Sequence, residues 1–87
     1  MRYAELHVRL EEIGLKPRRI VSWYVEGQVS EAGYTIVPLD DDTYTLYRPS
    51  GRGEYYQAVD QDKNPLVFAT EDEVCEYVWE QIVARIK

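Results

Sequence analysis

The sequence predicts a small α+β domain: an antiparallel meander of three to four strands with one helix before it and one after it. Three observations carry that prediction. Apolar residues recur at helical spacing from Tyr3 and stop at Gly14. Two runs rich in β-branched and aromatic residues flank Asp40, Asp41 and Asp42. A capped apolar stripe then runs from Thr70 nearly to the last residue.

The first helix is predicted over Arg2 to Ile13. Tyr3, Leu6, His7, Leu10 and Ile13 fall on one face, and Glu5, Arg9, Glu11 and Glu12 fall elsewhere. Gly14 supplies the left-handed position that ends a helix, and Leu15 is placed to fold back on Leu10. Pro17, Arg18 and Arg19 read as a short basic connector exposed to solvent. Ile20 to Val25 reads as a strand, with a further turn of helix as the alternative, because its pattern does not alternate strictly. Gly27 to Gly33 reads as a turn or loop.

The centre of the chain is a hairpin signal. Tyr34 to Leu39 and Thr43 to Arg48 meet across the aspartates, an acidic turn that cannot itself be buried. Pairing across it sets Leu39 against Thr43, Val37 against Thr45 and Thr35 against Tyr47 on one face. Tyr34, Ile36, Pro38, Tyr44 and Leu46 share the other face, the more apolar one, which is predicted to meet the helices. Pro49, Gly51 and Gly53 predict that strand pairing loosens from Arg48 to Gly53. Glu54 to Val59 resumes as a strand, Asp60 to Pro65 is a polar turn, and Leu66 to Phe68 adds a short extended segment. Thr70 and Glu73 make a capping box, and Glu71 and Asp72 place negative charge at the positive end of the helix dipole. Val74, Cys75, Val78, Trp79, Ile82, Val83 and Ile86 form the inward stripe of that last helix.

The 87 residues make one domain, near the size at which burial of about 60% of the unfolded surface just suffices to fold. Sixteen acids against ten bases give a formal charge of −6. That balance argues against a nucleic-acid binder, which must neutralise phosphates. It favours a basic partner or plain solubility. Eight of the aromatic residues are tyrosine, a ring that can lie at an interface without making the free protein insoluble. The single cysteine excludes an internal disulfide. No apolar run approaches the ~18 residues that span a bilayer, and the opening residues lack the apolar core of a signal peptide. A cytoplasmic setting is the expectation.

Each candidate for chemistry has a simpler reading. Cys75 lies on an apolar stripe, where a thiol acts as a small hydrophobe, and His7 has no second histidine at ligand spacing. Asp40, Asp41 and Asp42 lack the spacing and the glycine of a calcium loop. Pro49 to Gly53 neither matches a P-loop nor opens a helix. No catalytic residue, metal or cofactor is expected, and the chain reads as a non-enzyme.

From Tyr24 to Ile82, about two thirds of the chain, the sequence resembles a group of very small bacterial immunity proteins of polymorphic toxins. Tyr24 and Gly27 match the start of that pattern, Tyr44, Leu46 and Tyr47 its aromatic strand, and Ser50, Arg52 and Gly53 the strand's end. Phe68, Thr70, Glu71, Glu73, Cys75 and Tyr77 match the opening of the last helix. Gly51 stands where glutamate is usual, Pro49 looks like an insertion, and Val74 replaces alanine. The resemblance implies an antitoxin that docks on a cognate toxin, among them NAD glycohydrolases of the TNT type, and blocks its substrate cleft. A basic cleft would meet Asp40, Asp41, Asp42 and Glu54. Tyr47, Tyr55 and Tyr56 would supply buried area, with Arg48 and Arg52 as rim or anchor. The free form is expected to be a monomer or weak dimer, without nucleic acid or membrane. The competing class is a non-catalytic adaptor or oligomerising structural module, and a third is an enzyme with a closed pocket for a small cation.

Overall fold

The computed structural model describes residues 1–26, 32–50 and 54–86. Helix α1 spans Tyr3–Glu12 and buries Leu6 and Leu10. It stops as its sequence dictates: Gly14 sits at φ +84°, and the Leu15 N–H donates to the Leu10 carbonyl at 3.0 Å. This is the six-to-one bond of a Schellman stop. The basic connector is not an open strand of chain. Pro17–Ile20 forms a single helical turn, α2, with Pro17 at its first position and buried. Proline's fixed φ suits that position, where its missing N–H has no helical partner to lose. Arg18 and Arg19 remain exposed.

Strand β1, Val21–Trp23, pairs in parallel with β2, Tyr34–Pro38. The sheet is therefore mixed, and this pairing corrects the antiparallel meander at its first step. The Gly33 N–H donates to the Arg19 carbonyl at 3.0 Å, so β2 starts beside the start of β1. Residues 24–33 have the length to make the return: they reach about 30 Å when extended, and β1 spans only about 10 Å.

From β2 to β4 consecutive strands pair antiparallel, as the predicted meander requires. β2 pairs antiparallel with β3, Tyr44–Pro49, in the register Thr35 to Tyr47, Ile36 to Leu46 and Val37 to Thr45. The Leu39 N–H donates to the Thr43 carbonyl at 2.8 Å, and the Asp42 N–H to the Leu39 carbonyl. Asp42 takes the left-handed conformation, φ 63°, as the last residue of a three-residue hairpin loop requires. Aspartate tolerates that conformation better than most side chains.

Pairing does not loosen at Arg48. Strand β4, Tyr55–Gln57, meets β3 as Tyr47 to Gln57, Arg48 to Tyr56 and Pro49 to Tyr55. The Ser50 N–H continues the ladder to the Glu54 carbonyl. Leu46 and Ser50 bond towards β4, so Pro49, an odd number of residues from each, faces the β2 side beyond that strand's first residue. Its missing N–H removes nothing from the ladder. After β4 the chain leaves β3 at Ala58, turns through residues 60–64, and returns as β5, Val67–Phe68, on the same edge. Bonds from the Ala58 N–H to the Leu46 carbonyl and from the Leu66 N–H to the Ala58 carbonyl close the neck of this excursion.

Helix α3 spans Glu71–Ile86. The Glu73 N–H donates to the Thr70 hydroxyl at 3.1 Å, and the Glu73 carboxylate accepts the Ala69 N–H at 2.9 Å. The capping box is reciprocal as predicted, with its return bond one residue earlier than usual. Glu71 reaches across to α1, accepting the Tyr3 N–H at 3.0 Å and pairing with Arg2 at 3.2 Å. Both long helices pack on one face of the sheet. Leu6, Leu10, Val74, Cys75, Val78 and Ile82 meet Val21, Tyr34, Ile36 and Leu46 in one core. This is the predicted apolar face, and the α+β class with its helix–sheet–helix order is the one the sequence predicts.

Candidate functional site

Because strand side chains alternate, burying Tyr34, Ile36 and Leu46 under the helices turns Thr35, Val37, Thr45 and Tyr47 to the opposite face. Register adds Ser22 beside Thr35, Gln57 beside Tyr47, and Val67 beside Thr45. Tyr55, two residues from Gln57, joins them. A groove of about 660 Å³ opens here. Its face side is formed by Ser22, Thr35, Val37, Tyr47 and Tyr55, and it continues past Tyr24 and Val25 around the sheet edge at β1 to Val21, Trp23, Tyr3 and Arg18. The volume lies in the range of small-molecule sites, and an apolar lining with a few polar groups is their usual composition.

Two threonines on this face differ in their bonding. The Thr45 hydroxyl, fully buried, donates to the Leu66 carbonyl at 2.6 Å and accepts from Gln57 Nε2 at 2.9 Å. The Thr35 hydroxyl is equally withdrawn from solvent, the residue being 5% exposed, and has no hydrogen-bond partner. An unpaired buried hydroxyl is costly and uncommon in folded proteins. Arg18 is the one ionisable side chain of formal charge in the groove among the described residues.

The structure places the predicted contact residues on several surfaces. Tyr47 and Tyr55 come together in the groove. Tyr56 pairs with Arg48 and so points to the helix side, where it is 50% exposed. Arg48 is occupied there: its guanidinium lies 4.6 Å from the centre of the Tyr34 ring, and Nε donates to the Gly33 carbonyl. Asp40, Asp41 and Asp42 are exposed at the hairpin tip. Asp41 accepts from the Thr43 hydroxyl and N–H, and chiefly the hydroxyl bond holds its carboxyl below the ordinary value. Glu54 is exposed at the start of β4. Arg52 lies outside the described residues.

Sequence reasoning set Thr35 on the face opposite the helices but passed over the groove's Trp23, Tyr24 and Arg18 as contact residues. It also explained Asp72 as a capping charge, although Asp72, Glu76 and Glu80 are spaced by four and form an exposed acidic stripe on α3. Glu5 and Glu73 extend that surface around a second, shallower groove. The amino group of Met1 lies within it, 2.9 Å from Glu76 and 3.6 Å from Asp72.

Cys75 and His7 do not line the groove on the sheet. Cys75 is buried, and burial, with Glu71 adding to it, pushes its thiol up to about 11. A protonated thiol is a poor nucleophile. The His7 ring lies tilted against Tyr3, with centroids 4.4 Å apart, and burial lowers its pKa. No group of acidic, histidine and cysteine side chains suited to a metal ion occurs among the described residues. No helix among them is long and apolar enough to cross a membrane.

Fold and site together define a small α+β protein with a hydroxyl-bearing aromatic groove on the uncovered face of a mixed sheet. Comparison of the chain with known protein families, curated proteins and solved structures gives no match.

Proposed function

We propose that this protein is a non-catalytic inhibitor, an immunity protein that docks the open face of its sheet on a cognate bacterial toxin and occludes the toxin's active site. The observation that carries the reading is that face: helices cover one side of the sheet, and the other presents Tyr47, Tyr55, Tyr24, Val25 and Val67 around a groove. Exposed apolar patches of this kind mark interaction surfaces, and tyrosine is enriched in the anchors of such interfaces. The resemblance from Tyr24 to Ile82 supplies the class of partner, with an NAD glycohydrolase as the particular toxin. The formal charge of −6 supports a partner with a basic cleft, since opposite charge speeds encounter. The proposed setting is the bacterial cytoplasm.

The test is growth of bacteria expressing the C-terminal domain of the neighbouring gene's product, with and without this protein, while cellular NAD is followed. Rescue of growth with NAD preserved is the expected result. Toxicity that the protein does not relieve, together with self-association at micromolar concentration, would replace the inhibitor with the oligomerising module. Two tyrosines sharpen the test because adjacent strand residues face opposite ways. Tyr55→Ala is expected to cost about 2 kcal/mol of affinity, roughly 30-fold. Tyr56→Ala, on the helix side, is expected to leave affinity within about twofold. Equal losses at both would reject the open face.

A further inference from the structure

The groove holds features that a flat docking surface does not require. Its lining includes Thr35, whose hydroxyl is buried and has no partner. Ser22, on β1, and Tyr47, on β3, flank it in the same row across the sheet. A polar atom held dry and unpaired loses little by accepting a ligand, because its desolvation has already occurred on folding. At the other end, around the β1 edge, Arg18 is exposed and makes no ion pair among the described residues. The acidic side chains that dominate the molecule's charge do not line this groove. Between the two polar ends the walls are aromatic: Trp23, Tyr24, Tyr47 and Tyr55.

We infer that this groove is a binding site for a small aromatic anion, with a planar body on the tyrosines, a hydroxyl or similar polar atom on Thr35, and a carboxylate at Arg18. Aromatic walls favour a planar ligand through stacking and edge contacts. An uncompensated guanidinium at one end selects an anion over a cation. A volume of about 660 Å³ admits a two-ring molecule with room for water. The inference does not depend on a toxin docking on the same face, since it concerns the free protein.

The test uses the full chain, labelled with nitrogen-15, and three naphthalene probes. 6-Hydroxy-2-naphthoate carries both polar ends, 2-naphthoate lacks the hydroxyl, and 2-naphthol lacks the carboxylate. Saturable amide shifts at Ser22, Thr35 and Tyr47 are expected with the first probe. Each end is then assigned by pairing a probe change with a protein change, as in a double-mutant cycle. Arg18→Gln is expected to weaken both carboxylates by about threefold to fivefold, the scale of an exposed ion pair, and to leave 2-naphthol unchanged. Thr35→Val is expected to weaken the two hydroxylated probes by about fivefold, one net hydrogen bond, and to leave 2-naphthoate unchanged. Thr35→Ser keeps the hydroxyl and is expected to retain the preference for hydroxylated probes. Loss of either selective effect overturns the assignment of that end. Shifts confined to other surfaces, or no saturable shifts at all, overturn the site, and Arg18→Gln decides the matter even if both Thr35 variants fail to fold.

Discussion

Replacing either threonine on the open face with valine gives the same change in shape and opposite expected changes in stability. Thr45 is fully buried, and its hydroxyl joins the Leu66 carbonyl to Gln57 Nε2. Thr45→Val breaks both bonds and leaves two polar partners to find water. At about 1 kcal/mol net for each bond, the loss is about 2 kcal/mol. Thr35 is 5% exposed, and its hydroxyl bonds to nothing. Thr35→Val breaks no bond, removes an unpaired hydroxyl whose burial costs about 1–3 kcal/mol, and adds a buried methyl. A gain of about 1 kcal/mol is expected, the lower end of that range. Urea denaturation of both variants and the parent chain measures the pair. With an m-value of about 1 kcal/mol per molar, the midpoint is expected to fall by about 2 M for Thr45→Val and rise by about 1 M for Thr35→Val. Unchanged slopes would show that the shifts are in stability. If Thr35→Val destabilises as much as Thr45→Val, the Thr35 hydroxyl has a partner in solution and the reasoning fails.

Three further outcomes follow from single side chains. Cys75, with its thiol pushed up to about 11, is expected to resist a disulfide reagent at pH 8, where only about a thousandth would be thiolate. Its labelling rate is expected to rise with urea along the unfolding curve, and rapid labelling of the native protein would contradict its burial. Burial lowers the His7 pKa below 6.5 on folding, so between the two values the unfolded chain binds the extra proton. Stability is therefore expected to be complete above about pH 6.5 and to fall as pH drops through the folded value. His7→Gln is expected to flatten that part of a stability-against-pH curve. Asp42 sits at φ 63°, which glycine adopts freely. Thermal melts are expected to show Asp42→Gly unchanged or stabilised by up to about 1 kcal/mol, and Asp42→Val destabilised by about 1–2 kcal/mol.

The elements legible in the sequence are those whose cause is local. Gly14 and Leu15 end α1 within a few residues of each other. Thr70 and Glu73 cap α3 across a single turn. The register of Leu39, Val37 and Thr35 follows from a short turn and an alternating pattern. The parallel direction of β1 was not legible, because it depends on a bond between Gly33 and Arg19, residues separated by the whole of β1 and the chain after it. Arg48 read as a rim or anchor contact and is instead laid on the Tyr34 ring, an arrangement that appears only when β2 and β3 pair. Tyr55 and Tyr56 read as one aromatic patch, although strand alternation alone was enough to part them. The groove was the least legible feature, since it draws Arg18, Trp23, Thr35, Tyr47 and Tyr55 from five elements. The unpaired state of Thr35 is a property of what surrounds it and leaves no mark in the sequence.

Charge and contact belong to different parts of this molecule. Net charge is a whole-chain quantity, and here much of it lies on the helix layer in Glu5, Asp72, Glu73, Glu76 and Glu80. Interactions between exposed charges fade over about 8–10 Å at physiological salt, while the molecule measures 32 × 28 × 25 Å. A ligand seated on the open face therefore responds mainly to the groups lining it, which are aromatic rings, hydroxyls and Arg18. The sequence inference of a basic partner concerns approach: acids on the helix layer and at the hairpin tip can draw in a cationic surface from a distance at low salt. Selection after encounter rests on a site whose own charge has the opposite sign. A protein of charge −6 can thus attract basic partners and still hold an anion, because the first property sums over the surface and the second is set by a single guanidinium.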